Sequence, residues 1–203
     1  MEPTGKFADG KNKKGLTIYY QLKLNKMRKK LLMLVVILLA AFTTKAQLAD
    51  SIKAHYIKDW ERAKAYTKEY LDAMPKDKYD FKAQDSIRSF AAQMLHLAQG
   101  TIGMIANGTG AQRIWAGQNL EQRKTAHAPD SVNYLVMASY DFAIASIRNM
   151  DVSKLTETAG RGNFMFPRLV WLNKAFEHQT HHRGQTTIYI RLVGIKPPNE
   201  KLF

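Results

Sequence analysis

Four stretches of roughly twenty residues or slightly more carry apolar side chains at three- and four-residue steps, with proline or glycine near their borders, and this pattern leaves few folds but helical ones. The first runs from Ala49 to Met74, where Ile52, Tyr56, Trp60, Ala63 and Tyr70 form a stripe that Pro75 ends. The second runs from about Ser86 to Asn107. The third starts at Pro129-Asp130-Ser131 and reaches about Met150 through Val132, Leu135, Val136, Phe142 and Ile147. The fourth spans Pro167 to Leu192 and is closed by Gly194 and Pro197-Pro198. No strand alternation and no internal repeat appears, and residues 151–166 read as a loop. Four helices with one apolar face each make an all-α, up-and-down four-helix bundle the economical way to bury them.

Half of the six histidines fall within five positions of the fourth segment, in Glu177-His178-Gln179-Thr180-His181-His182-Arg183-Gly184-Gln185. From His178 to His182 a helix turns about 400° and rises about 6 Å, so the two imidazoles stack on one face while His181 points about 100° away. Such a pair can share a divalent ion, but zinc and its neighbours take about four ligands, and catalytic sites commonly draw three from protein. On the second segment, Ser89, Ala92, His96, Gly100 and Gly103 share a face that is small except for the imidazole. The glycines fit either close helix approach or a cavity beside His96, and His96 by itself reads as a core residue bonded to a backbone group. His127, next to Pro129, reads as a surface residue, and His55 has no assigned role.

The formal net charge of +14 suggests nucleic acid or an anionic membrane until it is placed along the chain. Residues 1–46 hold ten Lys or Arg against two acids, a balance of +8, which leaves +6 for the rest. That remainder shows no arginine stripe and no interleaved aromatics, so a nucleic-acid partner is not expected. Residues 1–26 are polar and glycine-punctuated and read as a disordered or mis-annotated leader, with Met27 as the natural start. Met27-Arg28-Lys29-Lys30, the apolar run from Leu31 to Phe42, and Thr44-Lys45-Ala46 read together as a signal peptide over residues 27–46. The run is shorter than the ~20 residues of a spanning helix. The expectation is therefore an exported protein whose domain begins at Gln47, the alternative being a membrane anchor over the same residues. Cysteine is absent, which excludes thiolate nucleophiles, Cys zinc sites and disulfides.

The segment Ser86-Ile87-Arg88-Ser89-Phe90 through Leu95-His96-Leu97, with His178-Gln179-Thr180-His181-His182-Arg183-Gly184-Gln185 and Gly194-Ile195-Lys196-Pro197-Pro198, resembles the DinB/YfiT-like family of metalloenzymes. That family is distinct from the DNA polymerase sharing the DinB name. The resemblance extends over about residues 50–199. It implies a four-helix bundle with a divalent metal (zinc, nickel, manganese or iron) held by His96, His178 and His182. It also implies hydrolase chemistry, or transfer to a low-molecular-weight thiol. The thiol route fits poorly with export, so a metal-dependent hydrolase on an unknown small-molecule substrate ranks first, and a non-catalytic exported metal- or ligand-binding bundle is the competing class. No catalytic base follows from the sequence; Glu177 and Asp141 are the weak candidates, with Asp141 also able to orient a ligand. Gln185 could bond a ligand, Arg183 is expected to pair with a carboxylate or cap a neighbouring helix, and a homodimer is an open expectation.

Overall fold

The computed structural model describes the chain from Asp9 to Phe203; residues 1–8, and the side chains of residues 9–15, 39 and 41–46, lie outside the description. Two compact units divide at residue 50, the second being Ser51–Phe203. Helix α1 spans Asp9–Ala73 and so contributes to both. In the first unit the side chains from Leu16 to Leu38 are exposed. Residues 9–26, expected to lack regular structure, are helical. No proline interrupts Asp9–Ala73, and its lysines, leucines and glutamines are good helix formers that offset Gly10 and Gly15. Among the described residues no helix is long and apolar enough to cross a membrane. The side chains of Thr44-Lys45-Ala46, on which the cleavage reading rests, lie outside the described residues.

The second unit is the expected four-helix bundle, built from α1 after residue 50, α2 (Phe90–Thr109), α3 (Pro129–Asn149) and α4 (Arg168–Leu192). Its connectivity refines the expectation of strict alternation. Cross-links between α1 and α3 run in opposite residue order, from Thr67 with Tyr140 to Glu61 with Arg148, so these two helices are antiparallel. Links between α1 and α4 run in the same order, from Tyr56 with Asn173 to Tyr70 with Thr187, so these two are parallel. Helices α2 and α3 share a sense because the connection after α2 turns back along it. Leu120 N–H donates to Gln99 Oε1, Glu121 reaches His96 and Arg88, and α3 begins where Asp130 meets Lys76. The helices therefore run up, down, down, up, and a polar segment is drawn back over the face of α2 that carries His96.

The expected stripes form the core. Trp60 is fully buried against the rings of Tyr140 and Phe176, at centroid distances of 5.6 and 5.5 Å, and Phe90, Leu95, Ile105, Ile147 and Leu172 belong to the same core. A side chain of this size contributes on the order of 2–3 kcal/mol when removed from water. Helix α2 starts at Phe90, later than expected, because the Phe90 and Ala91 amides are held by the carbonyls of Phe81 and Tyr79. Its cap is Ser89, whose hydroxyl accepts from Ala92 N–H at 3.2 Å, whereas Ser86 bonds Gln84. The connection before α4, expected as loop, holds a two-stranded hairpin, β1 (Thr158–Arg161) and β2 (Phe164–Pro167). Its residues are mostly exposed on both faces, so no polarity alternation marks it in the sequence. Trp171 Nε1 donates to Ala159 O at 2.9 Å and ties the hairpin to α4.

Candidate metal centre

Helix α4 places His178 and His182 one turn apart on a shared face, with ring centroids 4.3 Å apart. From α2, His96 meets them at 5.2 Å from His178 and 4.5 Å from His182. One ring nitrogen from each lies within 4.8 Å of the others. Gly100, one turn beyond His96, makes the approach possible: a β-carbon there would stand 2.6 Å from Nε2 and 2.9 Å from Nδ1 of His178. The small face of α2 is thus a seat for an imidazole, the first of the two readings given to its glycines. Gly103 does not share this role, since nothing lies within 4 Å of a β-carbon added there.

Around the cluster the remaining polar atoms are arranged asymmetrically. His96 Nδ1 lies 2.5 Å from Glu121 Oε1, and the other carboxylate oxygen accepts from Arg88 Nε at 2.7 Å. His182 Nδ1 is bracketed by the side-chain amides of Gln93 at 2.8 Å and Gln185 at 3.1 Å, which also bond each other. His178 Nδ1 is buried with no hydrogen-bond partner. An orphaned buried nitrogen calls for a partner, and one beside two further imidazoles is compatible with a bound cation.

Electrostatics keep the two α4 imidazoles uncharged. Burial pushes the His178 imidazole down to about 4, assisted by the positive charge that His96 would carry. Burial likewise pushes His182 down to about 3, with repulsion from His178 and His96 adding to it. Both are neutral near pH 7, as metal-ligating imidazoles must be. For Glu121, burial alone would raise the pKa, but hydrogen bonds from Arg88 and His96 outweigh it and hold the carboxyl below the usual range.

Other residues weighed from the sequence lie apart. Asp141 is exposed and pairs with Lys64 at 2.5 Å, and Glu177 is exposed and pairs with Lys174 at 2.5 Å, so neither faces the cluster as a base. His55 is exposed beside Asp59. His127, read as a surface residue, is half-buried, with Nε2 2.7 Å from the Glu121 carbonyl. Arg183 has neither of its expected roles. It is buried, stacked 4.4 Å over the Tyr66 ring, and donates to Gln179 Oε1 at 3.0 Å, so neutral oxygens and a π-face receive the guanidinium in place of a carboxylate. His181 is exposed, its ring 4.9 Å from that of His182. Glu121, Arg88 and Gln93 were not singled out by sequence reasoning. Gln93 was legible in principle, sitting one position off the helical stripe three residues before His96. Glu121 was not, because it lies on an aperiodic connection.

An open cleft of about 690 Å³ adjoins the cluster, with Arg88, Gln93, His181, His182, Gln185 and Tyr189 on its walls. A larger cleft of about 790 Å³ between α1 and α4, lined by Tyr56, Leu155, Leu169 and Phe176, includes none of the three clustered histidines.

Solved structures with this fold include a DinB-like protein from Bacillus cereus ATCC 10987 (18% identity, TM-score 0.61, covering 72% of this chain and 95% of that one). A DinB-like protein from Bacillus subtilis, YjoA, shares 18% identity at a TM-score of 0.57, covering 73% of this chain and 96% of that one. A conserved protein from Enterococcus faecalis shares 16% identity at 0.58, covering 70% and 96%. At these identities the likeness concerns the fold. A comparison with curated proteins gives no match. The sequence model of the DinB family matches residues 43–202, which takes in all four helices of the bundle and the three clustered histidines, and this chain therefore belongs to the DinB family.

Proposed function

We propose that this protein is a metal-dependent enzyme of hydrolase type that holds one divalent ion through His96, His178 and His182 and receives its substrate in the cleft beside His182. The observation that carries this reading is convergence without closure. Three imidazoles from two helices face one another, and among the described residues no other His, Asp or Glu joins their cluster. The nearest carboxylate, Glu121, is turned to His96 Nδ1 and Arg88 instead of supplying a fourth ligand. The donor set fits the group: three nitrogens suit zinc, nickel, iron or manganese, and the orphaned His178 Nδ1 supplies an unmet polar need.

When bound, such an ion supplies Lewis-acid activation of a water or a carbonyl. The chain itself supplies orientation. The Gln93 and Gln185 amides fix the His182 ring, Gly100 seats His178, and Glu121 holds His96. His181, exposed on the cleft wall, is positioned to exchange a proton with a substrate there. Arg88, also on the wall, has a partly exposed side chain and pairs with Glu121. The same proposal has residues 27–46 removed on export, so the mass of the mature chain should correspond to a start at Gln47. The experiment is elemental analysis of purified protein followed by a screen of ester, amide and thiol-acceptor substrates. One equivalent of metal with metal-dependent hydrolysis is expected. Turnover confined to thiol acceptors would assign the transferase chemistry, and bound metal without turnover would assign a binding module.

A further inference from the structure

We infer that Glu121 is a positioning residue that fixes the Nδ1–H tautomer of His96 and so aims Nε2 of that ring at the point shared with His178 and His182. The inference rests on the three-histidine reading above and assigns the group that makes its helix-α2 member competent. Two contacts compete for His96 Nδ1. Glu121 Oε1 lies at 2.5 Å and Arg88 Nη2 at 3.2 Å. A bare nitrogen lone pair cannot face a carboxylate oxygen at the shorter distance, since both are acceptors, so Nδ1 carries the hydrogen and donates to Glu121. Arg88 then acts on Glu121 through its 2.7 Å Nε bond and keeps the carboxyl ionised. With Nδ1 committed to a carboxylate, Nε2 is the ring nitrogen left to offer a lone pair. A carboxylate behind an imidazole also makes that lone pair a better donor to a cation.

The carboxylate is held by more than its own bonds. The segment that carries it is secured on both sides, by the buried Leu120 side chain and its N–H bond to Gln99, and by His127 against the Glu121 carbonyl. Such bracing of an otherwise irregular connection is what a positioned group needs, because a tether free to swing would not select one tautomer. Glu177, by contrast, is exposed and pairs with Lys174, three residues before it on the same helix.

The test is a competitive titration with zinc alone, against a chromophoric chelator, on full-length wild type, E121A, E121Q, E177Q and H182A. A long-range ¹⁵N spectrum of the metal-free proteins accompanies it. Expected is an affinity about 10–100-fold lower in E121A, a smaller loss in E121Q, which keeps an acceptor, and no change in E177Q. The His96 ring should show the Nδ1–H tautomer in wild type and lose that preference in E121A, a change that general loosening of the connection would not produce. Zinc affinity in E121A within twofold of wild type, or an Nε2–H His96 in wild type, would overturn this inference alone. Full zinc affinity in H182A would overturn it together with the three-histidine reading.

Discussion

The imidazole of His178 occupies the volume that a β-carbon on Gly100 would need, with Nε2 2.6 Å from that position. A residue without a side chain on α2 is thus the counterpart of a ligand candidate on α4, and the two helices meet around that exchange. Gly100→Ala should evict the ring and lower bound zinc to well below one equivalent. Gly103→Ala, with open space at the same face, should leave zinc unchanged and stabilise the helix by up to about 1 kcal/mol. Elemental analysis and urea denaturation of the two variants would decide between seat and ordinary packing.

Loss of a single imidazole should separate binding from folding. His182→Ala removes one donor from the cluster but leaves the apolar stripes intact, so helical circular dichroism should persist while metal falls below one equivalent per chain. His55→Ala, on an exposed turn of α1, serves as the control and should retain the full complement.

The depressed pKa values of His178 and His182 give the metal-free protein a pH dependence of definite sign. An unfolded histidine takes up a proton near pH 6.5, but the folded sites do so only near 4 and 3. Between these values the unfolded chain binds more protons, so stability from these two sites is complete above about 6.5 and declines as pH falls toward 3. In chelator, the melting temperature of wild type should therefore drop between pH 7.5 and 5. The drop should be smaller in a His178→Gln, His182→Gln double variant. Equal drops would exclude this linkage.

Arg183 belongs to the histidine-rich motif by sequence, yet its contacts are with Tyr66, Gln179 and Thr67 in the interior. Arg183→Met should preserve zinc stoichiometry and destabilise the fold by roughly 1–3 kcal/mol, through the lost cation–π contact and the unpaired Gln179 oxygen. A urea titration measures the second effect. Loss of metal without loss of stability would place Arg183 at the site instead.

Local pattern was sufficient for the helices but not for what joins them. The apolar stripes of α1, α3 and α4 were legible because burial imposes a helical period on residues such as Trp60, Val132, Ala175 and Tyr189. The start of α2 was misplaced by three to four residues, since Ser86 and Ser89 are equally good caps and only the backbone bonds of Phe90 and Ala91 to residues 79–81 choose between them. The hairpin at 158–167 escaped because exposure on both faces removes alternation. Arg183 was expected to meet a carboxylate or a helix end because nothing local signals that an aromatic ring 117 residues earlier will cover it.

By itself the sequence determined the helical class, the apolar stripes of the bundle and the pairing of His178 with His182, because each depends on a period of 3.6 residues acting over a few turns. Only the tertiary structure decided that α2 and α3 run in the same sense, that Gly100 opens a seat for His178, and that Glu121 is carried back to His96. Those facts follow from contacts between residues distant in the chain, and the return of residues 110–128 along α2 leaves no periodic trace from which the partner of His96 could be read.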